Sequence, residues 1–94
     1  MFNLLFDEEV VRDLAGPSKD DQRLILGSLE KLASYYSDAY ELELRKSGIL
    51  RKLNGEWEGF FRLRMRSFRA IYKRYEDTLV VYVVKLRQRS DIAA

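Results

Sequence analysis

Residues 60–75 read Phe60-Phe61-Arg62-Leu63-Arg64-Met65-Arg66-Ser67-Phe68-Arg69-Ala70-Ile71-Tyr72-Lys73-Arg74-Tyr75. Phe61, Leu63 and Met65 alternate with Arg62, Arg64 and Arg66, a period of two that makes a half-buried strand. Arg69 to Tyr75 reads as a second strand, Glu76-Asp77-Thr78 as a turn, and Leu79 to Leu86 (LVVYVVKL) as a third strand rich in β-branched and aromatic residues. The connections are too short for crossovers, so the three strands form an antiparallel meander.

Working outward, Met1 to Phe6 (MFNLLF) is a short apolar segment that reads as a first strand. Asp7 is placed to cap a helix, which Gly16-Pro17 breaks near Ala15. Ser18 caps a second helix with Asp20 and Asp21 in its first turn, and Ile25, Leu29, Leu32 and Tyr36 give it one apolar face. Two helices joined at Gly16-Pro17 read as a hairpin. From Asp38 to Glu58 the pattern is ambiguous. Tyr40, Leu42 and Leu44 alternate with charges, which fits either a strand or a helix extension, while Gly48 and Asn54-Gly55 mark loops. Trp57, between Gly55 and Gly59, reads as an anchor for its loop.

With 94 residues and 47% hydrophobic content, residues 1–94 make one globular domain with one modest core. The chain has no cysteine and no histidine. That removes disulfides, thiolate metal sites, the commonest metal ligand and the commonest general base near neutral pH. No tight carboxylate cluster suggests a metal, and no cofactor is expected. The acidic start carries no signal-peptide pattern, and the longest apolar run, Leu79 to Val84, is far too short to span a bilayer. A soluble cytoplasmic protein without a membrane partner is the expectation.

The net charge of +2 hides an asymmetry. Residues 1–44 hold four basic and ten acidic side chains, a balance of −6; residues 45–94 hold thirteen basic and five acidic ones, a balance of +8. Two readings follow: a polyanion held by the C-terminal half, or acidic helices folded over a basic sheet. From Gly59 to Tyr75 there are six cations (Arg62, Arg64, Arg66, Arg69, Lys73, Arg74) and no acid, and the neighbouring strand adds Lys85. Like charges facing each other across strands cost stability, and guanidinium forks suit phosphate. The pattern therefore points to a phosphate-bearing ligand on this face. Phe60, Phe68, Tyr72, Tyr75 and Tyr82 alternate with these cations, and core packing is the favoured role for most of them over base stacking.

Leu50-Arg51-Lys52-Leu53-Asn54-Gly55, then Phe61-Arg62-Leu63-Arg64-Met65, then Phe68-Arg69-Ala70-Ile71-Tyr72, and finally Arg87-Gln88-Arg89-Ser90-Asp91-Ile92 together resemble the RelE/ParE toxins of type II toxin–antitoxin pairs. The resemblance covers nearly the whole chain. It implies an α+β fold, with an N-terminal strand and helical hairpin packed on a small twisted, mostly antiparallel sheet. It further implies a toxin silenced by a cognate antitoxin protein.

The favoured RelE branch implies a ribosome-dependent mRNA endonuclease, an mRNA interferase, with the ribosome and mRNA as partners. Arg62, Arg64, Arg69 and Arg89 match that branch's basic active-site positions, and Lys52, Arg66, Lys85 and Arg87 are candidate RNA contacts beside them. The sequence departs from the pattern at Ala93, where many ribonuclease members carry Tyr, and at Gln88, where others carry His. It departs again at Arg66-Ser67, where Gly-Asp is usual. The alternatives left open are a ParE-like gyrase inhibitor without catalysis and a degenerate antitoxin-binding module.

Overall fold

The computed structural model describes residues 2–88; Arg89, Ser90, Asp91, Ile92 and Ala93 of the C-terminal motif lie outside them. In chain order come β1 (Asn3–Phe6), α1 (Glu8–Asp13), α2 (Lys19–Ser34), α3 (Asp38–Lys46), β2 (Leu50–Lys52), a 3₁₀ turn (Gly55–Trp57), β3 (Phe60–Met65), β4 (Phe68–Tyr75) and β5 (Val80–Gln88). The five strands form one sheet in the order β1-β5-β4-β3-β2, antiparallel except for the parallel β1–β5 pair.

Each helix begins where a short polar side chain satisfies an orphan backbone donor. Asp7 accepts from the Glu9 amide at 3.0 Å, Ser18 from Asp21 at 3.2 Å, and Ser37 from Tyr40 at 3.1 Å. The third cap resolves the ambiguous stretch. Residues 38–46 are helical, so Tyr40 and Leu44 share one packed face while Leu42 stands 49% exposed. Gly48, at φ +81°, then turns the chain into β2.

One face of the sheet takes the helices. Val10, Ile25, Leu29, Leu32 and Tyr36 meet Leu50, Phe61, Leu63, Met65, Phe68, Ala70, Tyr72, Val81, Val83 and Leu86 in a single core. Two hydroxyls are buried there with their partners: Tyr36 donates to Glu41 Oε1 at 2.8 Å, and Tyr72 donates to the Tyr36 oxygen at 2.8 Å. Burial pushes both phenols well above their ordinary pKa, so both stay protonated donors. Arg74 closes this end of the core, with its guanidinium 5.2 Å from the Tyr36 ring centroid and ion pairs to Asp38, Glu41 and Glu76.

Two local features aim the other face. Strict alternation would send Val81, Val83, Lys85 and Arg87 all the same way. The register instead pairs Ile71 with Lys85 and Tyr72 with Val83, so Val84 is an unpaired bulge residue. The bulge returns Leu86 to the core and puts Lys85 and Arg87 on the face away from the helices. The strand also runs to Gln88, past the end at Leu86 that the sequence suggested, and so carries Arg87 within the ladder. The second feature is the β3–β4 turn. Met65 pairs with Phe68 across only Arg66-Ser67, and the turn closes without glycine because Arg66 takes a left-handed φ of +57°.

Candidate functional site

The face opposite the helices is organised by cross-strand register. One row runs Arg51, Arg62, Ile71, Lys85 across β2, β3, β4 and β5; the next runs Arg64, Arg69, Arg87 across β3, β4 and β5. Ile71 is 7% exposed yet stands outside the helix-side core, flanked in register by Arg62 and Lys85. It gives the cationic side chains an apolar floor for their stems while their charged heads reach solvent.

At the β2 end, Arg45, Arg51, Arg62, Arg64 and Arg69 line one depression of about 380 Å³, together with Gly48, Ile49 and Leu50. The main chain fixes its wall, since the Arg64 amide donates to the Ile49 carbonyl at 2.9 Å. Among the described residues no carboxylate belongs to the lining, and Arg45, Arg51, Arg62 and Arg64 form no ion pair. Arg69 Nη1 lies 3.4 Å from the carbonyl oxygens of Arg66 and Phe68, which steers its fork over the β3–β4 turn. Five guanidinium groups around one cavity repel one another. Such a cluster is complementary to a polyanion, above all to phosphate oxygens that accept paired N–H donors.

The β5 end differs. Arg87 donates to Glu9 Oε1 and to Asp13 Oδ2, both at 2.6 Å, and Lys85 Nζ lies 3.2 Å from Glu9. Glu9 and Asp13 are four residues apart and so share one face of α1. The Arg87 and Lys85 hydrogen bonds hold the Glu9 carboxyl below its ordinary pKa, and the hydrogen bond to Glu9, with Asp13 beside it, raises Arg87. Beside them Tyr82 donates to Asp7 Oδ2 at 2.9 Å; Asp7 is lowered first by the Glu9 amide and then by this hydroxyl, while Tyr82 is raised.

The sequence-predicted residues therefore separate. Arg62, Arg64 and Arg69 converge on one depression. Arg89 lies outside the described residues. Arg66 is the exposed left-handed residue of the turn, and Lys52 pairs in register with Phe61, which places it at the sheet edge on the helix side. Lys85 and Arg87 face the right way but are neutralised by α1, so the absence of local acids in the sequence is offset by acids brought from residues 9 and 13. Sequence reading missed Arg45 and Arg51. Arg51 was legible as the alternating neighbour of Leu50 once β2 is recognised as an edge strand; Arg45, at the end of α3, needed the fold.

Among the described residues no group of carboxylates could hold a metal ion, and no helix is long and apolar enough to cross a membrane. No family model matches the chain, and no curated protein matches it by sequence. Solved structures do match it. The toxin–antitoxin complex RelBE2 from Mycobacterium tuberculosis aligns with a TM-score of 0.71 at 18% identity, covering 94% of this chain and 98% of that one. The archaeal RelE–RelB complex from Pyrococcus horikoshii aligns with a TM-score of 0.73 at 22% identity, covering 97% and 98%. The intact Escherichia coli RelBE complex gives 0.69 at 17%, covering 94% and 96%. With its three helices on a five-stranded, mostly antiparallel sheet, the chain has the fold of the RelE toxins.

Proposed function

We propose that this protein is the toxin of a type II toxin–antitoxin pair and acts as a ribosome-dependent mRNA endonuclease. The observation that carries the reading is the arginine depression on the open face of a RelE fold, in which Arg45, Arg51, Arg62 and Arg64 form no ion pair among the described residues. In such a reaction a ribose 2′-OH attacks the adjacent phosphorus and the 5′ oxygen leaves. Charge builds on the phosphoryl oxygens, where preorganised guanidinium donors are most effective. Arg62 and Arg64, side by side on β3, and Arg69 across from Arg64 are the groups placed for this, with Arg45 and Arg51 holding the flanking backbone. The role of Arg89 is carried by the resemblance of its motif. Arginine hardly deprotonates, so these residues bind and stabilise and do not serve as the general base.

The partner reading follows the same line. The RelBE complexes pair a RelE toxin with an antitoxin, and an antitoxin is the cognate partner proposed for this chain. The test is translation on purified ribosomes followed by primer extension of the mRNA. Discrete cuts in the A site that disappear in Arg62→Ala and Arg69→Ala support the proposal; intact mRNA with folded wild-type protein overturns it.

One observation favours a second reading. The described lining of the depression contains no Tyr, His, Asp or Glu to move a proton. A protein that binds without cutting, such as a ParE-like gyrase inhibitor, needs none. A DNA supercoiling assay separates the two: inhibition of gyrase with intact mRNA selects binding without cleavage.

A further inference from the structure

The open face has a second end. Beyond the arginine rows, Phe60 on β3 pairs directly with Lys73 on β4, and Lys73 with Tyr82 on β5. Lys73 Nζ lies 5.6 Å from the Phe60 ring centroid and 5.3 Å from that of Tyr75, and Trp57 meets Phe60 edge-on at 5.4 Å. The core accounts for Phe61, Phe68 and Tyr72, which face the helices. It does not account for Phe60 and Tyr75, which share the opposite face; Tyr75 is 42% exposed. Nor is Lys73 there to neutralise an acid, since it forms no ion pair among the described residues.

Phe60 stands two residues from Arg62 on the same strand and the same face, a step of about 6.8 Å. That step is comparable to the reach of one extended nucleotide. Two aromatic rings that share one ammonium lying over them, one such step from a guanidinium cluster, make the pairing that single-stranded nucleic acid uses: stacking of the base on the rings' remaining surface and a cation for the next phosphate.

We propose that Phe60 and Tyr75, gathered around Lys73, form a stacking subsite for a nucleobase of single-stranded RNA, one nucleotide along from the phosphate held by the arginine depression. The strand then runs along β3 and β4 from the β3–β4 turn toward Trp57. The proposal rests on the RNA reading of the arginines, and its test separates the two.

The probe is a short single-stranded RNA with 2′-O-methyl riboses, which blocks cleavage, and a single 2-aminopurine moved along it position by position. Wild-type protein is expected to quench the fluorophore at one position only, and an abasic residue there to weaken binding about tenfold. Tyr75→Leu keeps an apolar side chain and removes the ring; it is expected to abolish the quench and lower affinity by a similar factor, whereas Tyr75→Phe preserves both. Because Tyr75 is exposed, this variant serves even if Phe60→Leu fails to fold. Arg64→Ala is expected to weaken binding while leaving the quench at saturation. Three results overturn the subsite: quenching at every position alike, no binding of the probe, or wild-type behaviour in Tyr75→Leu. If Arg64→Ala still binds poorly in that last case, the arginine reading stands alone; if it too binds like wild type, both fall.

Discussion

Arg64 and Arg87 stand at opposite ends of one register row, with Arg69 between them. Arg87 is held at 2.6 Å by both Glu9 and Asp13, whereas among the described residues Arg64 has no ion pair and lines a depression with no carboxylate in its wall. The difference comes from topology. The parallel β1–β5 pair delivers the chain at Asp7 to the β5 edge, and α1 starts there, so its acids fall against Lys85 and Arg87. At the β2 edge α3 packs with the opposite polarity: its first-turn acids Asp38 and Glu41 pair with Arg74, and its C-terminal turn contributes another arginine, Arg45, to the depression. Of the two readings of the charge split, acidic helices folded over a basic sheet describes the β5 edge, and the polyanion is proposed for the β2 edge. Guanidinium chemistry alone does not support a phosphate site; what supports the proposed one is that Arg45, Arg51, Arg62 and Arg64 have no carboxylate partner among the described residues.

The comparison is tested most severely by removing charge at each end. Arg62→Ala combined with Arg64→Ala is expected to lower RNA affinity about a hundredfold or more, at roughly tenfold for each lost charge-assisted contact. The dependence of log K on log salt should flatten by about 1.4, at about 0.7 per phosphate contact on a single strand. Lys85→Ala with Arg87→Ala is expected to change affinity by only about twofold, because those charges are already spent on α1. Binding isotherms at several salt concentrations decide it; equal losses at the two ends would break the distinction.

Next in size is the reverse experiment. Glu9→Gln with Asp13→Asn releases Lys85 and Arg87 while keeping side-chain volume. RNA affinity at low salt is expected to rise about tenfold and the salt slope to steepen by as much as about 1.4. Unchanged affinity would show that the β5 edge lies off the RNA path whatever its charge.

The same pairs set a pH signature. Glu9 is held below its ordinary 4.5 by Arg87 and Lys85, so the stability it contributes is fully present above pH 4.5 and is lost as pH falls through the lower folded value. Asp7, lowered from 3.8, acts in the same direction. Thermal melts from pH 6 down to about pH 3 should therefore show wild-type Tm falling more steeply than that of Glu9→Gln. Parallel curves would mean that the 2.6 Å contact to Arg87 contributes nothing in solution.

How much of this the sequence held can be followed residue by residue. The alternation Phe61-Arg62-Leu63-Arg64-Met65 settled β3 because its core and solvent faces differ so sharply in character. Capping at Asp7 and Ser18 was legible because it is local chemistry. Residues 38–46 were not, since Tyr40, Leu42 and Leu44 satisfy a period of two on paper; the Ser37 cap and the packing of Tyr40 and Leu44 make them helical. The direction of Lys85 and Arg87 depends on a single bulge at Val84, and nothing in a run of valines announces which one loses its partner. For the site, Arg62, Arg64 and Arg69 were within reach as neighbours in a meander. The acids that disarm Arg87 were not, because Glu9 and Arg87 are 78 residues apart and meet only through the β1–β5 pairing.

Arg66 supplies the smallest test and sits in the β3–β4 turn, beside the Arg64–Arg69 pair of the row. A non-glycine residue at φ +57° carries a left-handed cost of about 1 kcal/mol that glycine does not. If Arg66 does no more than close the turn, Arg66→Gly should raise Tm by a few degrees for a domain of this size and leave RNA binding and its salt slope unchanged. Its carbonyl still receives Arg69, so Arg69 stays in position. If Arg66 instead reaches a phosphate, the variant should be more stable yet bind more weakly, with the slope reduced by about 0.7. Measuring Tm and salt slope together tells the outcomes apart, and the second would extend the basic region from the depression over the turn, toward the edge where α1 closes it off.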